Sequence, residues 1–139
     1  MTLSRRKALT LGLGGIAFAA MPGLSAASTI EELTAAFAGG AAPGTDGITL
    51  TTPEIAENGN TVPVSVDAPG AVAIMLLASG NPEPAVATFT FGPAAGRQFA
   101  ATRIRLAKTQ DVIAMAKMAD GSIVQAQATV KVTIGGCGG

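Results

Sequence analysis

Val124-Gln125-Ala126-Gln127-Ala128-Thr129-Val130-Lys131-Val132-Thr133-Ile134 decides the fold, because apolar and polar residues alternate through the whole stretch. A period of two places Val124, Ala126, Ala128, Val130, Val132 and Ile134 on one face of a strand and leaves the other face wet. Just upstream, Ala119-Asp120-Gly121-Ser122 joins this segment to 111–118, and Asp-Gly supplies the positive φ that a tight hairpin needs. Further back, short runs rich in Val, Ile, Thr and Phe alternate with turn signals at Asn58-Gly59-Asn60, Pro69-Gly70, Gly80-Asn81-Pro82 and Gly92-Pro93. Strands are predicted at 48–52, 61–67, 71–78, 85–91, 98–107, 111–118 and 122–134. Seven short strands in roughly ninety residues make an all-β, antiparallel β-sandwich.

Two segments depart from simple alternation. Thr29-Ile30-Glu31-Glu32 has the form of a capping box, with Ile30, Leu33 and Phe37 following on one helical stripe. A short helix is expected, stopped by Gly39-Gly40. The run Ala71-Val72-Ala73-Ile74-Met75-Leu76-Leu77-Ala78 is small or apolar throughout, as in a strand covered on both faces. Its outer cover is either another subunit or the chain's own helix at Thr29 to Phe37.

The first 27 residues read as an export signal. Ser4-Arg5-Arg6-Lys7 precedes a Gly/Ala-rich apolar run from Ala8 to Met21, and Ser25-Ala26-Ala27 forms a small-residue cleavage site. The Arg pair points to the twin-arginine route into the periplasm, although Ala8 stands where a bulkier apolar residue is common. The run falls short of the roughly 20 residues that span a bilayer, so no membrane association is expected after removal of the signal. Without these 27 of 139 residues the chain keeps 112, enough for one domain at 28–134 with an arm at 135–139. Losing Arg5, Arg6 and Lys7 from nine basic residues leaves six against nine acidic ones, a net charge of about −3. Nucleic acid is a poor partner for such a surface.

The chain has no His, Trp or Tyr and a single Cys. It therefore lacks the usual Ser-His-Asp or Cys-His pairs, His-based zinc or copper sites, and c-type haem attachment. No catalytic residue, metal site or cofactor is expected. Met75, Met115 and Met118 lie in strand patterns beside Ala, Ile and Leu and are read as core rather than as a copper set. Arg103 and Arg105 alternate with Ile104 and Leu106 as a solvated strand face that is also free to meet anions or a partner.

The lone Cys137 stands in Gly135-Gly136-Cys137-Gly138-Gly139. Four glycines cannot pack a core around it and allow wide backbone freedom, so Gly135, Gly136, Gly138 and Gly139 read as a flexible arm that displays a thiol. The three residues from Gly135 to Cys137 span roughly 10 Å when extended. An ordinary thiol has a pKa of about 8.5 and is only a few per cent thiolate at pH 7. With no His or Lys beside it in sequence, its activation is expected from whatever enzyme the arm visits.

That tail, together with Pro53-Glu54-Ile55-Ala56-Glu57-Asn58-Gly59 running into Val62-Pro63-Val64, Asn81-Pro82-Glu83-Pro84 before Ala87-Thr88-Phe89, and the twin-arginine leader, resembles the SoxY family. These are the sulfur-compound carrier subunits of the bacterial thiosulfate-oxidising (Sox) system. The resemblance covers essentially the whole chain and is most specific at the tail. It implies an immunoglobulin-like sandwich, paired as a heterodimer with a second small β protein, SoxZ, and covalent attachment of sulfur intermediates to Cys137. It further implies a c-type cytochrome that conjugates thiosulfate, a metal-dependent hydrolase that releases sulfate and, where the host has one, a sulfane dehydrogenase. On this reading the chain is a carrier and not an enzyme.

Two other readings use the same tail. Gly138-Gly139 is similar to the end of ubiquitin-like sulfur carriers, which hold sulfur as a C-terminal thiocarboxylate, but those work with ATP in the cytoplasm and have a smaller fold. A non-catalytic binding module that dimerises through Cys137 is the other.

Overall fold

The computed structural model describes residues 29–135. One helix, α1 (Ile30–Ala38), precedes β1 (Thr49–Thr51), β2 (Ile55–Ala56), β3 (Val62–Asp67), β4 (Ala71–Ala78), β5 (Ala85–Thr90), β6 (Phe99–Ile104), β7 (Gln110–Met118) and β8 (Ile123–Val132). The strands form a three-stranded sheet, β1-β3-β6, and a five-stranded sheet, β2-β8-β7-β4-β5. This is the expected sandwich. Pairing is antiparallel except for the two-residue strand β2, which runs parallel to β8 through Ile55↔Lys131 and Ala56↔Val132. So short a strand has no period to read in sequence.

Between the sheets, Val62, Val64 and Val66 of β3 and Ile104 of β6 meet Ile74 and Leu76 of β4, Val112 of β7 and Val130 of β8. Burying each such side chain contributes about 1.5–3 kcal/mol. Met75, Leu77, Ile113, Met115 and Ile123 point the other way, out of the five-stranded sheet. Ile30, Leu33, Phe37 and Ala38 of α1 pack over them, so β4 is covered on both faces by this chain alone. Met75 and Met115 are core residues on that layer, and Met118 packs against the inter-sheet core. The capping box forms as expected: Thr29 Oγ1 accepts from the Glu32 amide at 3.2 Å, and Glu32 Oε2 accepts from the Thr29 amide at 3.0 Å. Gly39 ends the helix in the left-handed region at φ 60°.

At the β7–β8 turn Gly121 adopts φ 88°, while no non-glycine residue among those described has positive φ. Asp120 contributes its side chain instead. Its carboxylate accepts from the Ser122 amide at 2.8 Å and from the Ser122 hydroxyl at 2.6 Å.

Strands β1 and β5 stop one residue short of their expected ends at 52 and 91, and two others, β6 and β8, end two or more residues early. The sixth, expected to 107, stops at Ile104, and the last, expected to 134, stops at Val132. In both cases the amides or carbonyls beyond the strand bond to a turn from elsewhere in the chain, and that turn leads to the candidate site.

Candidate functional site

Gly59, buried in the Asn58-Gly59-Asn60 turn, holds both strand ends at once. Its amide donates to the Ile134 carbonyl at 2.7 Å, and its carbonyl accepts from the Leu106 amide at 2.8 Å. The turn is closed locally by Asn58 Oδ1, which accepts from the Asn60 amide at 3.0 Å. Beside it, the β2–β8 pairing is extended by bonds from the Lys131 amide to the Glu54 carbonyl at 2.9 Å and from the Thr133 amide to the Ala56 carbonyl at 3.0 Å. Thr109 Oγ1 accepts from the Val132 amide at 2.9 Å. The backbone is thus tied down through Ile134.

Gly135 comes next, with its α-carbon against the Ala107 main chain. A Cβ built there would overlap the Ala107 carbonyl oxygen and lie 3.1 Å from its carbon. Ala107 is in turn fixed by an amide network. Asn81 Oδ1 accepts from the Ala107 amide at 2.9 Å and from Gln110 Nε2 at 2.8 Å, and Asn81 Nδ2 donates to the Arg105 carbonyl at 2.7 Å. Gln110, 7% exposed, completes it by accepting from the Gly80 amide at 2.9 Å and donating to the Lys108 carbonyl at 2.9 Å. A buried and a half-buried amide satisfied in this way make a seat for the Ala107 main chain.

Of the tail residues singled out from sequence, Gly135 is therefore a packed glycine at the root. Gly136, Cys137, Gly138 and Gly139 lie outside the described residues, as does the expected export signal at 1–27. Ala107 and Gln110 were not singled out, and Gly59 and Asn81 were read as turn residues within the motifs of the resemblance, with no part in holding the tail. The motifs at 53–59 and 81–84, which carried the resemblance, converge on this root through Gly59 and Asn81.

Arg105 and Lys108 flank Ala107, and both are exposed. The sequence near Cys137 holds no cation, but the fold brings these two to the segment on which Gly135 rests. Among the described residues the one ion pair is Arg97–Asp67, at 2.6 Å and remote from the root. Among the same residues no group of His, Cys, Asp and Glu is arranged to hold a metal, and no helix is long and apolar enough to cross a membrane.

A two-sheet sandwich with a clamped C-terminal root defines a β domain whose sole cysteine follows that root by two residues in sequence. The chain belongs to the SoxY family: the family model, described as sulfur oxidation protein SoxY, matches residues 33–137 and so runs to the cysteine. The structure is similar to that of the sulfur carrier protein SoxY from Chlorobium limicola f thiosulfatophilum, with 35% identity, a TM-score of 0.66, and coverage of 78% of this chain and 99% of that one. It also resembles a superoxide reductase (neelaredoxin) from Ignicoccus hospitalis, at 18% identity and a TM-score of 0.55 over 63% of this chain and 81% of that one. That likeness is one of fold alone. Comparison with curated protein sequences returned no match.

Proposed function

We propose that this chain is a periplasmic covalent carrier of sulfur intermediates in thiosulfate oxidation, holding them on the sulfur of Cys137 and presenting them to partner enzymes. The observation that carries the reading is the clamped root at Gly59, Ile134, Ala107 and Gly135, which fixes where the tail leaves the body while its cysteine lies two residues further on. Membership of the SoxY family and the likeness to a solved sulfur carrier support it.

Loading joins the Cys137 thiol to the outer sulfur of thiosulfate. An S–S bond forms, one proton is released, and two electrons pass one at a time through the haem of a c-type cytochrome partner to its own acceptor. Hydrolysis of the resulting S–SO3⁻ group by a metal-dependent partner releases sulfate and leaves a persulfide on Cys137; a sulfane dehydrogenase would act on that persulfide. Redox and metal chemistry reside in the partners, and this chain supplies attachment. Covalent tethering keeps the intermediate at a high effective concentration between steps. Export by the twin-arginine route and pairing with a SoxZ-like β protein complete the proposal.

Intact-mass analysis of the exported protein, incubated with thiosulfate and its conjugating cytochrome, tests it. The expected result is a reductant-labile adduct on Cys137, absent from Cys137→Ser, which folds normally. Normal thiosulfate turnover by Cys137→Ser in the reconstituted system, or sulfur found on the Gly139 carboxylate instead, would overturn it.

A further inference from the structure

The outer face of the three-stranded sheet carries an open cleft of about 510 Å³. Its floor is a row of small residues across three strands, Thr51, Ser65 and Ala101, in register as Thr51↔Ser65 and Ser65↔Ala101. Pro53 and Pro63 rise at its margin, and Arg103, opposite Pro63 in the ladder, closes one end.

Arg103 is the only charged residue lining this cleft. Its guanidinium donates to Thr61 Oγ1 at 3.4 Å, and it has no ion pair among the described residues. A guanidinium has five N–H donors in a planar fork suited to tetrahedral oxyanions, so most of its donors remain free. The hydroxyls of Thr51 and Ser65 add neutral donors along the floor. On a mature chain with excess negative charge, this is a local site for an anion.

Its position supplies the occupant. The Arg103 guanidinium is held at Thr61, two residues beyond Gly59, whose amide holds Ile134, so it lies roughly 7 Å from the root along the strand, while Pro63, the first cleft residue on β3, is about 13 Å away. Ile134 to Cys137 is three residues, about 10 Å when extended, and each S–S bond of a carried group adds about 2 Å.

We infer that the Arg103 end of this cleft is a berth for the anionic end of the group carried on Cys137, with the Arg103 guanidinium pairing with its sulfonate oxygens. The inference rests on the carrier reading and adds a resting place for its cargo. An exposed pair of this kind is weak, and weakness suits a cargo that partner enzymes must take away.

The test needs no partner enzyme. Methanethiosulfonate reagents convert the Cys137 thiol into a mixed disulfide and release methanesulfinate, one reagent adding a sulfonatoethyl group and another a neutral methyl group. NMR of the uniformly ¹⁵N-labelled full chain should show shifts at the Arg103 Nε and the Thr61 amide with the sulfonate adduct but not with the methyl adduct. Arg103→Gln should abolish the difference while Arg103→Lys retains part of it. Free ethanesulfonate, added to protein bearing the methyl adduct at the same concentration, should leave these resonances unmoved, since it lacks the tether. Identical spectra for the two adducts, or shifts unaffected by Arg103→Gln, would overturn the inference. Equal shifts from free ethanesulfonate would do the same, marking a general anion site. Because the label is attached chemically, failure of enzymatic thiosulfate loading would count against the carrier reading and leave this result independent.

Discussion

The α-carbon of Gly135 and the carbonyl of Ala107 are in such close contact that no side chain can be placed between them. Gly135 is not among the described glycines with positive φ. Space, and not backbone conformation, therefore requires glycine at the first position of the tail. This separates Gly135 from the glycines around Cys137, for which the sequence offers only backbone freedom as a reason.

Gly135→Ala should therefore behave as an overpacking substitution. Relief requires either Ala107 or Ile134 to move, and moving Ile134 breaks its bond to Gly59. A loss of about 1–2 kcal/mol in urea unfolding is expected, accompanied by faster hydrogen exchange at the Gly59 amide. Gly138→Ala, outside the clamp, should leave both unchanged. Equal behaviour of the two variants would remove the root from the account.

Asn81 is the residue on which the seat turns. One amide group accepts from Ala107 and Gln110 and donates to Arg105, so Asn81→Ala leaves the Ala107 amide and the Arg105 carbonyl without these partners. Stranding these partly exposed groups costs about 1 kcal/mol, readable in denaturant or thermal unfolding. Asn81→Asp keeps the acceptor and loses the donor, and should recover about half of that loss. A neutral Asn81→Ala would mean that the network is an ornament of the loop.

Why the strands were legible and the root was not follows from these residues. Alternation in β8 and the two-sided run in β4 are local signals, because side chains two apart share a face. The capping box at Thr29 is local too. Asn81, Ala107 and Gly135 are separated by 26 and 28 residues, and their contacts run through main-chain groups that no residue type advertises. Sequence resemblance did mark the place, since Asn58-Gly59 and Asn81 lie within the motifs that matched, but it could not say that the two motifs meet. The proximity of Arg105 and Lys108 to the tail was hidden for the same reason.

The β7–β8 turn gives a pH dependence with a defined sign. Hydrogen bonds from the Ser122 hydroxyl and then its amide hold the Asp120 carboxyl below its ordinary value of 3.8. A group whose folded value is depressed contributes stability that is complete above the unfolded value and is lost as pH falls through the folded one. Asp120 is fully exposed, so the effect should be small and confined to acid. Asp120→Asn should flatten the fall of the urea midpoint below pH 3.8 while leaving the neutral plateau nearly unchanged. An acid limb of the same slope in both proteins would show that this carboxylate does not contribute.

Helix α1 makes a different kind of claim, because none of its residues is fully buried and yet it covers five apolar side chains of the outer sheet face. Ile30, Leu33 and Phe37 do this from one stripe, and Lys117 lies over the Phe37 ring at 5.8 Å. With the helix in place, a partner subunit has no access to Met75, Leu77 or Met115 and must use other surface. Leu33→Asp should lift the helix and expose that layer, and an apolar patch of this size drives self-association. The expected outcome is a concentration-dependent rise in sedimentation coefficient and binding of a hydrophobic dye. Thr29→Ala, which removes only the cap, should cost about 1 kcal/mol and leave the protein in its parental association state. If Leu33→Asp stays unassociated and binds no dye, the helix is dispensable as a cover, and the outer face of β4 and β7 is open to a partner after all.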